Sequence, residues 1–436
     1  MRAPARWRWP GCNWAGRKMA DGSPLRPLLR LEDKRPVMIS VDDAISALRA
    51  NAPAPRLTRV SLSRAFGRVL MQPVIAHHDQ PPFDAAAMDG YALSAPLIEG
   101  ETRTVIGESQ AGRAFGASVT AFEAVRVFTG APLPPGTACV VMQEDVVRDG
   151  GVIRLRPGAQ SGPKPHIRPR GTDFLSGDVL LAPGERLDAL KLGLIASSGM
   201  AQVSVSRQPR VALICMGDEL VAPGQTPRPD QIFESNSPLL KALIQQWGAV
   251  VVRSGTQRDN TDDLSAALAA AKADLIVTVG GASVGDYDLV RPALATAGID
   301  WVFEKIDVKP GKPTAFGVLP DGRRVLCLPG NPGSAMTCAH LFLKPLIAAA
   351  SGDQGGDLIR ALPCATGLPA NGPREAFLRA VILAGIDGAP VLLPLSDQDS
   401  GMVANFAITS ALIRRHAHAP EVRTGDVCPC FVLSPF

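Results

Sequence analysis

A chain of 436 residues, 46% hydrophobic and 20% charged, has length for about two to four domains and enough apolar content to give them cores. The net charge of +4 is concentrated at one end: residues 1–37 hold seven Arg and two Lys against three acids, so the rest of the chain is close to −2 and has no basic field for gripping nucleic acid. No apolar run approaches the ~20 residues that span a bilayer, so a soluble, cytoplasmic protein with neither nucleic-acid nor membrane partners is expected.

Residues 1–37 show no helical period and no strand alternation, and three of the five Trp fall within the first 14 residues. The Arg-rich, acid-poor start fits a transit peptide less well than a disordered basic extension, or an upstream start with Met38 as the natural beginning of "MISVDDAISAL". Residues 38–50 then predict a helix: Ser40 caps it, Asp42 and Asp43 occupy the first turn, and Ile45 and Leu48 recur at helical spacing. Over 79–173 the signal is β, with "AVRVF", "CVVMQED" and "VIRLR" separated by Gly and Pro clusters. Mixed content returns over 174–206, with a helix near "DALKLGLIASSG".

At Arg210 the texture changes. "RVALICM" is a continuous apolar run, suited to a strand buried on both faces. "SPLLKALIQQWG" puts Leu239, Leu240, Leu243, Ile244 and Trp247 on one helical face, and Gly248 ends it. "AVVVRSG", "DLIVTVGG" and "IDWVFEKIDV" read as further strands. "NTDDLSAALAAAKA", "DYDLVRPALATAG" and "NPGSAMTCAHLFLKPLIAAA" read as helices. "TAFGVLPDGRRVLCLPG" reads as a hairpin on an Asp-Gly turn. Strand and helix alternating in this way predict a doubly wound, mostly parallel α/β sheet. Residues 351–436 lose the helix signals and gain Pro, Gly and short β fragments such as "AFLRAVIL", "APVLLPL" and "FAITSALIRR", which suits a small β domain of barrel type.

Eight Cys are scattered at 12, 139, 215, 327, 338, 364, 428 and 430, with no CxxC pair, as expected in a reducing compartment. Cys215 and Cys327 lie in apolar runs and read as small buried hydrophobes.

Open parallel sheets bind ligands beyond the carboxyl ends of their strands. Three loops leave such ends. "MGDELVAPG" carries Asp218 and Glu219. "GGASVGDYD" carries Gly280, Gly281, Ser283 and Gly285, then Asp286 and Asp288. "LPGNPGSA" carries Pro329, Gly330, Asn331, Pro332, Gly333 and Ser334 into a helix. Glycines let backbone N–H groups approach an anion, and a helix start adds a favourable dipole, so two such loops suggest a phosphate-bearing ligand. "EKIDVKPGKPTAFG" adds Lys305, Lys309 and Lys312, either a solvated basic loop or donors to phosphate or another oxyanion. Asp218, Glu219, Asp286 and Asp288 leave strand ends on the same face, and Asp259 follows the second strand there too; carboxylates beside a phosphate need a divalent cation between them, and Mg²⁺ suits oxygen ligands. No Ser-His-Asp or Cys-His arrangement and no P-loop stands out.

"PPFDAAAMDGYAL", "FTGAPLPPG", "MGDEL", "GGASVGDYD", "VKPGKPTAFG" and "LPGNPGSA", in this order, resemble the MoeA / gephyrin E-domain family of molybdopterin molybdenumtransferases. The likeness runs from about residue 38 and fades after residue 350. It implies a homodimer of elongated subunits. Residues 38–78 with 174–206 would form an N-terminal segment domain, 79–173 an inserted β-rich lobe, 207–350 a three-layer α/β molybdopterin-binding domain, and 351–436 a C-terminal β-barrel. The implied reaction cleaves adenylylated molybdopterin, places molybdate on the pterin dithiolene and releases AMP, assisted by Mg²⁺.

The resemblance also implies roles for single residues. Asp89 would reach from the lobe of one subunit to the α/β domain of its partner. Thr129 and Asp173 match other polar positions of that lobe. Glu219, Asp259 and Asp288 match the carboxylates of the α/β domain and would hold the metal. Pro329 and Pro332 match the Pro of the "LPGNP" loop. Molybdate would take donors from Lys305, Lys309 and Lys312, with Arg379 and Ser400 of the C-terminal domain as further candidates. Implied protein partners are the molybdopterin adenylyltransferase and molybdoenzyme acceptors. Three departures stand out: Ala85 and Ala86 replace the usual Asn and Ser, Thr172 stands where an acid is common, and Gly333 replaces Val. Two other readings stay open, a non-catalytic molybdopterin-binding or scaffold protein and, as sister chemistry on an α/β domain of this type, a molybdopterin adenylyltransferase. Removing residues 1–37 is expected to leave solubility and turnover unchanged; loss of either in the truncated chain would give the extension a role.

Overall fold

Six of the seven residues from Arg210 to Met216 are buried, so this strand needs cover on both edges and both faces. In the computed structural model, which describes residues 38–159, 166–281, 289–356 and 359–433, it has both. Val250–Gln257 and Leu275–Val279 pair with it in parallel, and Arg324–Leu328 continues in parallel beyond Leu275–Val279. Ala315–Val318 then pairs antiparallel with Arg324–Leu328, which is the expected Asp-Gly hairpin, and Asp300–Phe303 closes the edge, also antiparallel.

Alternate residues of the central strand feed two cores, as the two-residue period of a strand requires. Val211, Leu213 and Cys215 pack with Leu240 and Ile244 of helix Asn236–Gln246 and with Phe342, Leu346 and Ile347. Ala212, Ile214 and Met216 pack with Leu264, Ala267 and Leu268 of helix Thr261–Ala270 and with Val290, Ala293 and Leu294 of helix Val290–Thr296. Helix Val41–Ala50 forms as expected: Ser40 Oγ accepts from the N–H of Asp43 at 3.1 Å. Its buried Val41, Ala44 and Leu48 join the first of these cores, so the helix serves the α/β sheet although the chain then leaves for another region.

The last helix of this region has three parts: Pro332–Cys338, a π turn over Ala339–Leu343, and Lys344–Ser351. Pro345 has no N–H to continue the ladder, and the π turn ends two residues before it. Within that turn His340 is buried edge-on against Trp247, with ring centroids 5.1 Å apart, and burial pushes its imidazole down to about 3, so it is neutral.

Leu57–Ser61 pairs with Gln202–Ser206, and Val74–Ile75 with Val179–Leu181, around a core shared by Leu70, Leu187 and Ile195 of helix Ala189–Ser197. Both ends of the intervening stretch therefore return to one place. The stretch itself forms a six-stranded sheet in the order Cys139–Met142, Gly90–Leu93, Glu123–Val127, Thr102–Ser109, Val152–Leu155, Val146–Asp149. Ala85–Ala86 pairs with Ile167–Arg168 beside it, and both alanines are buried, at 4% and 0% exposure.

The C-terminal residues supply five strands of a further sheet around Glu375–Ala384. Val308–Lys309 joins this sheet in parallel, so the lysine loop ties the α/β region to it. The strand expected from "FAITSALIRR" is shorter: Ala404–Ala407 is a 3-10 turn, held by the Thr409 hydroxyl on the Asn405 carbonyl at 2.6 Å, and the strand is Ala411–Arg415. Among the described residues no helix is long and apolar enough to cross a membrane.

One guanidinium ties three regions together. Arg186 donates to the carbonyls of Gly67 at 2.7 Å and Trp247 at 3.1 Å, and to Asp353 at 2.8 Å. Replacing Arg186 with Met strands two carbonyls and a largely buried carboxylate. A loss of about 1–3 kcal/mol is expected in urea unfolding, and a change below about 0.5 kcal/mol would show that water replaces these bonds.

Candidate active site

The strands converge where their carboxyl ends carry no side chains. A Cβ on Gly280 would meet the Met216 carbonyl at 2.7 Å, and one on Gly330 would meet the Gly280 Cα at 3.3 Å. Gly280 also sits at φ +83°, a left-handed conformation that suits glycine. Above these backbones opens a cavity of about 500 Å³. Glu219, Asp259, Gly280 and Gly281 line one part of it, and Pro329, Gly330, Asn331, Pro332 and Ser334 another. Glu219 folds back over Gly217, where a Cβ would lie 2.6 Å from its carboxylate oxygen. Asp218 is occupied differently: its Oδ1 accepts from the N–H of Asp259 at 3.2 Å and braces that loop.

A second cavity of about 460 Å³ adjoins, lined by Lys309, Gly333, Thr337, Arg379, Asp399 and Ser400. Consecutive residues at the helix start, Gly333 and Ser334, divide the two cavities, and the turn from Lys309 to Pro313 also contributes to both. The Gly333 N–H donates to the Ser400 carbonyl at 2.7 Å, and a Cβ on Gly333 would meet that same oxygen at 2.8 Å. The missing side chain is therefore what admits the Ser400 backbone. Asn331 Nδ2 reinforces the contact by donating to Ser400 Oγ at 2.9 Å. Arg379 is 3% exposed and donates to the carbonyls of Asp399 at 2.7 Å, Met402 at 3.1 Å and Asp397 at 3.3 Å, so much of its donor capacity shapes the loop that carries Ser400. Lys305 and Lys312 line neither cavity; the carbonyl of Lys312 accepts from the N–H of Ile306 at 3.1 Å.

Asp89 and Thr129 form a pair in the sheet of residues 85–155 and line neither cavity. Asp89 Oδ1 accepts from the N–H of Thr129 at 2.7 Å and from its hydroxyl at 2.8 Å. These two bonds, with the nearby Arg126 cation, hold the carboxyl below its usual range. Arg126 is itself fixed over the rings of Tyr91 and Phe128, at 5.0 and 4.9 Å. Asp84, five residues earlier, has a different role: its Oδ1 takes the N–H of Arg170, 86 residues on, at 2.8 Å and ties the two ends of the lobe together. Asp173 is exposed at the base of this sheet, its N–H bonded to the Gln80 carbonyl at 2.9 Å, and the Thr172 hydroxyl is spent on the Pro169 carbonyl. Ser283, Gly285 and Asp288 lie outside the described residues.

Sequence reasoning missed Phe233, Ser235 and Asn236, which also line the first cavity. "FESN" precedes a helical run and reads as a cap; only the sheet order brings it beside Gly330. Cys215 lies at the cavity floor, and burial pushes its thiol up to about 12, so it is protonated and a poor nucleophile at neutral pH. Among the described residues no three His, Cys, Asp or Glu side chains converge on a metal position. The two carboxylates in the cavity, Glu219 and Asp259, are oxygen donors of the kind a hard divalent cation takes.

Replacing Thr129 with Val removes one of the two bonds to Asp89. The Asp89 pKa is expected to rise toward the usual value and to stay below it, because the backbone N–H remains. A carboxylate with a depressed folded pKa stabilises the fold above the unfolded pKa and loses that contribution as pH falls through the folded value. The variant's acid unfolding should therefore begin at higher pH. Carboxyl-carbon NMR of Asp89 checks this, and an unchanged titration would place its control elsewhere.

Comparison with known proteins covers all these regions. Residues 39–199 match the MoeA N-terminal region (domain I and II), residues 212–349 a probable molybdopterin binding domain, and residues 361–433 the MoeA C-terminal region (domain IV). A molybdopterin molybdenumtransferase of Haemophilus influenzae is 38% identical over 324 residues, covering 73% of this chain and 79% of that one. Molybdopterin molybdenumtransferase 2 of Mycobacterium tuberculosis is 37% identical over 314 residues, covering 69% and 76%. The crystal structure of the molybdopterin biosynthesis MoeA protein of Pyrococcus horikoshii aligns with a TM-score of 0.75 at 27% identity, covering 92% of this chain and all of that one. The chain belongs to the MoeA family of molybdopterin molybdenumtransferases.

Proposed function

We propose that this protein is a molybdopterin molybdenumtransferase that takes adenylylated molybdopterin, cleaves its pyrophosphate with water, releases AMP and leaves molybdenum on the dithiolene. In this reading it works in the cytoplasm as a homodimer. The α/β region is the three-layer molybdopterin-binding domain, and the C-terminal sheet is the β-barrel. The observation that carries the reading is the shared wall at Gly333–Ser334: a glycine-lined cavity with two carboxylates adjoins one with Lys309, Arg379 and Ser400. A pyrophosphate and a separate oxyanion can lie side by side there.

The residues divide the work by charge. The backbones of Gly280, Gly281 and Gly330 admit phosphate oxygens close to the strand ends, with Ser334 at the helix start. Glu219 and Asp259, with Asp288 as the third expected carboxylate, would hold Mg²⁺, which supplies charge withdrawal from the scissile bond. Lys309 and the Ser400 hydroxyl offer donors to molybdate, one oxygen of which leaves as water with the two dithiol protons when the two sulfurs bind molybdenum. Asp89, kept ionised by Thr129, is the carboxylate that the partner's lobe would bring to the cavity. Upstream and downstream partners are the adenylyltransferase and the molybdoenzyme acceptors.

Subunit mixing tests this arrangement. Asp89→Ala and Glu219→Ala are each expected to be inactive with fold and dimer intact. If Asp89 acts across the dimer, a one-to-one mixture reassembled from both recovers about a quarter of wild-type turnover, because half of the dimers hold one complete site. An active Asp89→Ala homodimer would refute the assignment, and an inactive mixture would place Asp89 with the cavity of its own subunit.

A further inference from the structure

The two oxyanion donors hang from one strand of the C-terminal sheet. Lys309 pairs with Ala376 of Glu375–Ala384, and Arg379 of the same strand holds the Ser400 loop through the carbonyls of Asp397, Asp399 and Met402. Gln398 ties that loop to the strand backbone: its Oε1 accepts from the Arg379 N–H and its Nε2 donates to the Arg379 carbonyl, both at 2.9 Å. Lysine and loop therefore share one frame. What remains to be set is where the frame meets the α/β region.

It meets helix Pro332–Cys338 near both ends. At the start, the three atoms nearest a Cβ on Gly333 would be the Ser400 carbonyl oxygen at 2.8 Å, Arg379 Nη1 at 3.1 Å and the Ser400 carbonyl carbon at 3.2 Å. All three belong to the C-terminal frame and none to the phosphate cavity. At the last residue, the buried Cys338 thiol faces the turn that follows Lys309. A Cβ on Gly311 would collide with Cys338 Sγ, and Gly311 sits at φ +113°, which suits glycine. Thr314 Oγ1 lies 3.4 Å from the same sulfur and donates to the Gly311 carbonyl at 2.7 Å. Burial pushes the Cys338 thiol up to about 12, so it packs as a small neutral group, and no step of the proposed reaction calls on it.

We infer that Gly333 and Cys338 are positioning residues for the oxyanion: they seat the frame that carries Ser400 and Lys309, and so place both donors relative to the glycine-lined cavity. This rests on the reading of the second cavity as the molybdate site. Donors held through close main-chain packing are already in place when the oxyanion arrives, and a small displacement of the frame moves both. The bare Gly333 sets the Ser400 side, and the Cys338 sulfur sets the Lys309 side.

AMP release by the full chain, with molybdate and adenylylated molybdopterin varied separately, tests the assignment, and equilibrium dialysis of molybdate accompanies it. Gly333→Ala displaces the Ser400 side, and Cys338→Ala leaves a gap under the Lys309 turn. Each is expected to raise the KM and Kd for molybdate about tenfold and to leave the KM for adenylylated molybdopterin within about twofold. Cys338→Ser, close to cysteine in volume, is expected to recover most of the loss. If Gly333→Ala fails to fold, Arg379→Lys keeps the charge, drops the fork that holds three carbonyls, and is expected to show the same split. Unchanged molybdate values in either alanine variant, a loss that falls equally on both substrates, or a Cys338→Ser chain no better than Cys338→Ala overturns the inference. A wild type that neither binds molybdate nor needs it for release overturns the molybdate reading itself, and the inference with it, before any variant is compared.

Discussion

Everything in the candidate site depends on how closely three backbones approach one another at the ends of the central strands. Met216, Gly280 and Gly330 meet so closely that a Cβ on Gly280 collides with the Met216 carbonyl and one on Gly330 presses on the Gly280 Cα. Parallel pairing of Arg210–Met216, Leu275–Val279 and Arg324–Leu328 sets that approach, and the two buried cores on the faces of the sheet hold it. The cavity with Glu219 and Asp259 opens directly above, and the helix that starts at Pro332 closes it. A side chain at Gly280 would push these loops apart and disperse the groups that the strands gather.

The same principle governs the boundary between the two cavities. Gly333 lacks the side chain that the resemblance leads one to expect, which on sequence alone should loosen the helix start. The structure shows a different consequence. The bare backbone lets the Ser400 carbonyl bond to the Gly333 N–H, and Arg379 supports that loop from inside with its guanidinium. The other departures also have local reasons. Ala85 and Ala86 are buried in a short strand pair, where small side chains fit, and Thr172 closes its own turn through the Pro169 carbonyl.

Much of this was legible in the residues. The apolar run at 210–216, the capped helix at 41–50 and the Asp-Gly hairpin declared themselves through periodicity and turn chemistry. The glycine loops and Glu219 and Asp259 followed from the rule that ligands bind at the carboxyl ends of parallel strands. What could not be read depends on distant segments meeting. Nothing local to Asn236 says that Gly330 lies beside it. Nothing in the spacing of Lys305, Lys309 and Lys312 shows that only Lys309 reaches a described cavity while the adjoining strand joins the C-terminal sheet. The motif holding Asp89 stands out, but its partner Thr129 is 40 residues away and is brought in by the pairing of Gly90–Leu93 with Glu123–Val127.

The central claim is that two adjoining cavities couple cleavage of an adenylate to delivery of an oxyanion. Release of AMP from adenylylated molybdopterin by the purified chain, followed with and without molybdate and Mg²⁺, tests it most directly. Release that requires both agrees with the account. Tight binding of the substrate with no release under any of these conditions would contradict it and leave a carrier or scaffold in place of an enzyme.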